Sequence, residues 1–588
     1  MANLAAAGVF PRTVISSRVS LARQLSQAAG AAPKPRQRDR SRVKIPSRGR
    51  VNIVSPGLCD DALKQLAPSL VDYRNCDIID VNPGDGLWSS MLHDHLKPRT
   101  HLLLEPEKSY LPSLRPLLDK LGSTYRHVPY SGMEWSSYEK IIDDGLLPNQ
   151  KLLNEGDPGY NSTNKTLLFL ANLASHPEKK FGDFKSISHL MVHQLITAIR
   201  RHEIFQRYGL VRMLIWTMDI EKKALLPRTV ANRRRFTIQA EMACEKIQEV
   251  AGAEGGPGKN RRDMALDIAS SKRVAMVTKQ DGTEIPEYRK GSIDEAMQDG
   301  YSQGATGIEG RDTHVSGRLW YQELNKLEKG YRNNEFSRFV TEAGRQWGRN
   351  RVFTKEYKRL AHLRAFASTM KKKSTVVDKV LKKEEELEAS EELAMSMTPE
   401  QRDKELAELA EKYKDEFTAF SESVQDKIAL ASDDRKALNM DPPLLMWDRR
   451  AQEPIIARAE EFQPQQPLTL LDLHPKAFPA GLCRTADSQT YFDFVVSCLF
   501  LQPKQSLVRG LDTLAPGAAE HIIPLVPSLR DPSKGGRRNL EQLRVRMLTA
   551  EMIEELVVAW ENWAFKPSMA QLMMKMGVHR FAVTERRL

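Results

Sequence analysis

The sequence predicts an α/β domain built on a doubly wound sheet, carrying a helical insertion and followed by a C-terminal all-α domain. Three observations carry that prediction. Between Val51 and Ala251, short apolar runs alternate with helical stretches, the order that builds a parallel sheet with helices on both faces. One run, Asp77-Ile-Ile-Asp80, enters a glycine-containing turn at Asn82-Pro83-Gly84-Asp85-Gly86. A second, His101-Leu-Leu-Leu, ends in Glu105, 19 positions after Gly86. This is the spacing of a nucleotide-binding βαβ unit: glycines let backbone approach a ligand, and the carboxylate can accept from ribose hydroxyls. Beyond residue 332 the pattern turns strongly helical.

In chain order, residues 1–30 hold Arg12, Arg18 and Arg23, several Ser and Ala, and no acid. Ala5, Val9, Phe10, Val14, Leu21 and Leu25 can share one apolar face. That composition predicts a mitochondrial transit peptide. Residues 31–50 read as a basic linker. The first fifty positions contain eleven Lys/Arg and a single acid, Asp39, so ten of the chain's twelve net positive charges lie there. Global charge is therefore no argument for nucleic-acid binding, which has to rest on local patches.

Within the α/β domain, 51–250, strands are expected at 77–81, 101–105, 124–128, 166–171 and 211–217. Helices are expected near 60–70, 87–96, 108–121, 187–205 and 232–250. Residues 251–331 read as a flexible insertion opened by the glycine-rich run Ala251–Asn260, and 332–484 as a helical expansion. In the expansion, Thr398-Pro399-Glu400-Gln401 has the form of a helix start. Leu406, Leu409, Tyr413, Phe417 and Phe420 follow at helical spacing, and Asp441-Pro442-Pro443 is a stop. A compact helical pattern begins near Leu468, with helices near 487–501, 516–529, 549–560 and 568–576. Residues 485–588 are expected to form a C-terminal helical nucleic-acid-binding domain. Five cysteines with no CxxC spacing predict neither a disulfide framework nor a metal site. No run of about 18 apolar residues occurs, so no membrane insertion is expected.

Three loops bear on chemistry. Class I methyltransferases hold S-adenosylmethionine with an acid-x-Gly-x-Gly-x-Gly loop; here the loop is Asp80-x-Asn82-x-Gly84-x-Gly86. Asn tolerates left-handed dihedrals, so the turn can survive, but its side chain takes up space that a ligand needs. After the third strand, no acid follows Val128 until Glu134, so an adenine contact is missing. After the fourth strand, adenine-N6 methyltransferases carry Asn/Asp-Pro/Ile/Leu-Pro-Tyr/Phe to hold a flipped base. This chain has Asn172-Leu173-Ala174-Ser175. Losing the stacking ring alone forfeits about 1–3 kcal/mol of base capture. Two basic patches interleave with aromatics. One contains Arg233, Arg234, Arg235 and Phe236; the other contains Arg537, Arg538, Arg544 and Arg546, with Trp560, Trp563, Phe565 and Phe581 nearby. Such patches suit phosphate contact plus base stacking.

With these pieces in place, the chain resembles the fungal mitochondrial transcription factor B family, the specificity factors of the single-subunit mitochondrial RNA polymerase. That family derives from ribosomal RNA adenine N6-dimethyltransferases. The resemblance is carried by Val51–Cys59, Asp80–Gly86, Leu103-Leu-Glu105, Glu134–Tyr138, Leu168–Ser175, Leu210–Trp216 and Leu514–Glu520. It covers roughly 51–250 and 485–576 and leaves 251–480 unexplained. It implies a class I methyltransferase-like (Rossmann-like) domain and a small helical domain, forming a cleft for melted promoter DNA. Mitochondrial RNA polymerase is the implied partner. A cofactor site would fall on Asn52, Asp80, Asn82, Gly84, Gly86, Glu105 and Asn172, with S-adenosylmethionine binding weak or vestigial. Two functions follow: an initiation factor without turnover, or a mitochondrial rRNA adenine N6-dimethyltransferase. The Ala174-Ser175 pair favours the first.

Overall fold

The computed structural model describes residues 49–177, 180, 184–254, 262–281, 285–291, 319–339, 353–393, 408, 411, 413–415, 417–485, 487–568, 570–572 and 574. The expected transit peptide, the linker up to residue 48 and the Thr398–Gln401 helix start lie outside them, as do Leu406, Leu409 and Phe581.

The described residues form ten strands: β1 (Asn52–Ile53), β2 (Asp77–Val81), β3 (Thr100–Leu104), β4 (Tyr125–Val128), β5 (Thr163–Asn172), β6 (Leu210–Met218), β7 (Cys244–Gly252), β8 (Ile455–Ile456), β9 (Phe462–Gln463) and β10 (Leu468–Pro475). Eight of them make one sheet in the order β4-β3-β2-β5-β6-β10-β7-β8, and β1 pairs with β9 apart from it. The pairs from β4 to β6 are parallel, whereas β10 runs antiparallel to both β6 and β7. β2 and β3 are buried throughout, as strands covered by helices on both faces must be. The side chains sort by period two. Ile79 and Val81 join a core with the helices Trp135–Asp143 and Ile187–Arg201, while Ile78 packs on the other face against Pro56–Leu70 and Leu87–Leu96. The direction of strand addition reverses between β2 and β5, and the crevice beyond their carboxyl ends is where a doubly wound sheet binds ligands.

The five expected strands of the α/β region all form. Two further segments differ from expectation. The helix expected over 232–250 stops early: Arg235–Ala243 is helical and Cys244–Gly252 is β7. Glu245, Lys246, Gln248 and Glu249 are helix formers by propensity, and tertiary pairing overrides them. Glu249 is buried against Lys222 Nζ at 2.6 Å. The second is Leu468–Pro475. It does not open a helical domain; it is β10, inserted between β6 and β7 from more than 200 residues along the chain. Its inward Asp472 is held by the Arg212 guanidinium of β6 through two hydrogen bonds of 2.8 and 2.6 Å.

The C-terminal helices are Ser488–Leu499, Leu507–Leu514, Ala518–Ile522 and Ala550–Asn562, with 3-10 turns between them. Their core takes in Val230, Ile238 and Met242, so the helix Arg235–Ala243 serves two cores at once. The span 251–331, expected to be a flexible insertion, carries the helices Met264–Asp281 and Leu319–Arg332. In the expansion Lys355–Leu393 and Glu422–Asn439 are helical, and Tyr413, Phe417 and Phe420 pack on Val380, Leu381 and Ile428. Among the described residues no helix is long and apolar enough to cross a membrane.

Candidate cofactor site

The loop after β2 has the backbone its composition demands. Asn82 sits at φ +57°, Gly84 at +60° and Gly86 at +77°, all in the left-handed region. Gly86 is the N-cap of the helix Leu87–Leu96. The structure brings Asn52, Asp80, Asn82, Gly84, Gly86, Glu105 and Asn172 together at the carboxyl ends of β2, β3 and β5. It also brings in Arg50, which composition had placed in the linker, and Tyr110.

Arg50 dominates the arrangement. Its Nη1 lies 2.6 Å from Glu105 Oε2, and its Nη2 donates to Asn82 Oδ1 at 3.1 Å. The guanidinium stands 5.0 Å from the centre of the Tyr110 ring. The Glu105 side chain is fully buried and that of Arg50 is 11% exposed. Glu105 Oε1 is also engaged, accepting from the Glu107 amide at 3.0 Å. The acid read as a ribose acceptor therefore has both oxygens paired within the chain.

The remaining contacts are internal too. Asn82 Nδ2 donates to the Asn172 carbonyl at 3.0 Å. Asn172 Nδ2 donates to the Val51 carbonyl at 2.9 Å, and its Oδ1 accepts from the Ala174 amide at 3.1 Å. Asn52 Nδ2 donates to the Tyr110 hydroxyl at 3.0 Å, while Asn52 Oδ1 is buried without a hydrogen-bond partner. A Cβ on Gly84 would meet that Oδ1 at 2.7 Å, and one on Gly86 would meet Leu114 and Leu117 at 3.0 and 3.1 Å. Both glycines thus give close approach to the protein's own side chains.

Chain segment 49–53 lies across this group. The Val51 amide donates to the Ala174 carbonyl at 3.1 Å, and the His176 amide to the Gly49 carbonyl at 2.5 Å. On the other side β1 pairs with β9, and the Val54 amide donates to the Glu461 carbonyl at 3.0 Å. Leu173 and Ala174 are buried, and the Leu173 carbonyl accepts from Ser188 Oγ. As folded, these residues do not fit S-adenosylmethionine: the ribose acceptor is spent on Arg50 and the glycine loop is covered by Asn52.

Asp80 joins a buried stack of rings. His101 Nε2 is 3.3 Å from Asp80 Oδ2, and the two histidines His101 and His93 approach Nδ1 to Nδ1 at 3.1 Å. Tyr125 lies parallel to His93 at 3.9 Å between ring centres.

Most arginines of the two patches read as phosphate contacts are engaged within the protein. Arg233 is 1% exposed. Its Nε lies 3.1 Å from Glu241 Oε1, and its Nη1 donates to the carbonyls of Arg546 and Leu548 at 3.0 and 2.6 Å. Arg544 and Arg546 converge on the buried Asp433 at 3.0 and 2.7 Å, and Arg537 lies 3.3 Å from Glu384. Arg235 donates to Ser497 Oγ at 3.0 Å. These side chains tie the Arg233 loop, the C-terminal domain and the expansion to one another. Arg233 and Arg546 are thereby corrected from surface to interior residues. Arg234 and Arg538 are exposed. Of the interleaved aromatics, Trp560 and Trp563 are in the core, Phe236 is half-buried, and Phe565 is 75% exposed. Composition cannot separate an arginine facing a buried acid from one facing solvent.

No protein-family model matches the chain. It is similar to mitochondrial transcription factor 1 of Saccharomyces cerevisiae, with 23% identity over 151 residues. The match covers 26% of this chain and 39% of that protein. The similarity therefore spans less than half the length of either protein.

Proposed function

We propose that this chain is a mitochondrial transcription initiation factor that works with a single-subunit mitochondrial RNA polymerase and engages melted promoter DNA, without transferring methyl groups. The observation that carries the reading is Glu105. A methyltransferase needs that carboxylate open to a ribose, and here it is closed by Arg50 at 2.6 Å and by the Glu107 amide. The similarity to a mitochondrial transcription factor and the arginine-rich, acid-poor N-terminal composition support the same reading. DNA contact belongs to exposed residues such as Arg234 and Phe565, since Arg233 and Arg546 are enclosed.

A second reading, a mitochondrial rRNA adenine N6-dimethyltransferase using S-adenosylmethionine, is favoured by the strand order and by the left-handed turn at Asn82, Gly84 and Gly86. One pair of assays separates them. Promoter-dependent run-off transcription by the mitochondrial RNA polymerase is expected to require the chain, while small-subunit rRNA incubated with it and labelled S-adenosylmethionine is expected to gain no dimethyladenosine. Robust dimethylation lost on Asn172→Ala would favour the enzyme.

A further inference from the structure

We propose that Arg50 is a built-in occupant of a latent adenosyl-nucleoside site, so that docking of segment 49–53 and binding of a nucleoside exclude one another. A carboxylate buried at the end of β3 is costly unless paired. In a ligand site the pairing donors arrive with the guest; here Arg50 supplies them permanently, with a salt bridge to Glu105 and a hydrogen bond to Asn82. Its planar guanidinium also lies over the Tyr110 ring, as a flat guest would.

The plug is held by backbone on both sides. Gly49 and Val51 are bonded to His176 and Ala174, and β1 is paired to β9. These bonds add the order of a short ribbon to one ion pair, so a free nucleoside has to displace a segment and not only a side chain. One sign of an imperfect occupant remains. Asn52 Oδ1, beside Gly84, is buried with no donor, although buried acceptors are nearly always paired. The site thus offers one more acceptor than Arg50 uses, which suits a guest bearing its own N–H or O–H groups.

The contacts of Arg50 are independent of a role in transcription: a chain inactive at promoters could still be plugged, and an active one unplugged. The test is calorimetry of the full chain with S-adenosylhomocysteine, alongside the shift in melting temperature. The wild type is expected to bind weakly, its heats saturating only at the highest nucleoside concentrations. Arg50→Ala is expected to bind roughly tenfold or more tighter, the scale of one charge-assisted hydrogen bond, and to lose that gain when Glu105→Gln is added. Circular dichroism checks that each variant is folded, and Arg50→Met, which keeps the apolar stem, is read in the same way if the alanine variant does not fold. Equal affinity in wild type and folded variant, or no gain in the folded variant, would overturn the proposal.

Discussion

At the residue scale, buried charge decides what this fold tolerates. Arg212 and Asp472 face each other across β6 and β10 with side chains 1% and 3% exposed, and Arg212 also donates to the Ser69 carbonyl at 2.8 Å. Burial alone would raise the Asp472 carboxyl, but Arg212 and His474 outweigh it and hold it well below the usual carboxylate range. Arg212→Met strands that carboxylate and is expected to destabilise folding by about 3–5 kcal/mol in urea titration, with Asp472→Leu added in the same chain recovering most of the loss. The histidines give a pH dependence. Burial, then His101, lowers His93 to about 4, and burial, then Arg235 and Arg200, lowers His193 to about 4. Their folded forms are neutral while the unfolded chain takes up protons near 6.5, so this stability is complete above about pH 6.5 and is lost as pH falls toward 4. Urea midpoints at pH 7.5, 6 and 5 are expected to decline in that order, and His93→Phe to flatten the decline. Asn82 and Glu105 were legible because a βαβ unit fixes which positions end its strands. Arg50 was not, because nothing local distinguishes the last arginine of a basic run from the ones before it.

At the element scale, the helix Glu422–Asn439 acts as a strut between parts far apart in sequence. Asp433 and Asp434 are neighbours with opposite surroundings. Burial alone would raise the Asp433 carboxyl, but Arg544, Arg546 and Arg537 outweigh it and hold it low. Asp434 accepts from the Val230 amide at 2.8 Å and from Thr229 Oγ1 at 2.9 Å, and burial pushes its carboxyl up to about 6. Asp433→Ala leaves the guanidinium groups of Arg544 and Arg546 enclosed without their carboxylate. It is expected to cost about 3–5 kcal/mol by chemical denaturation, whereas Asp426→Ala, whose bridge to Lys504 is exposed, is expected to change stability by less than about 1 kcal/mol. The same contrast explains which elements the sequence disclosed. β2, β3, β5 and β6 contain apolar runs bounded by turns and were readable. β7 carries Glu245, Lys246, Gln248 and Glu249, and its identity depends on Lys222 and on pairing with β10. β10 pairs with β6 and β7, which lie more than two hundred residues earlier, and no local window contains that pairing.

At the scale of the whole molecule, one helix and one charge pattern govern what the chain can bind. Arg235–Ala243 contributes Ile238 and Met242 to the C-terminal core and Ala240 and Ala243 to the α/β core, so its N-terminal arginines sit at the seam between them. Beyond residue 50 the net charge is only +2, which leaves binding to focused patches and not to a general field. The seam then makes two adjacent arginines behave in opposite ways. Arg233 is enclosed with Glu241, and Arg233→Ala strands that buried acid; it is expected to destabilise the fold by about 3–5 kcal/mol. Arg234 is exposed on the same turn. Arg234→Ala is expected to leave stability within about 0.5 kcal/mol and to weaken binding to melted DNA with little regard to sequence. If Arg234 contacts one single-strand phosphate, the slope of log affinity against log salt flattens by about 0.7. Fluorescence anisotropy with bubble DNA across a salt series, paired with urea titration of both variants, measures the two outcomes together. A preference for bubble over intact duplex that falls on Phe565→Ala would place that exposed ring against unpaired bases, at about 1–3 kcal/mol. An unchanged slope in a folded Arg234→Ala chain would move the DNA path away from this seam.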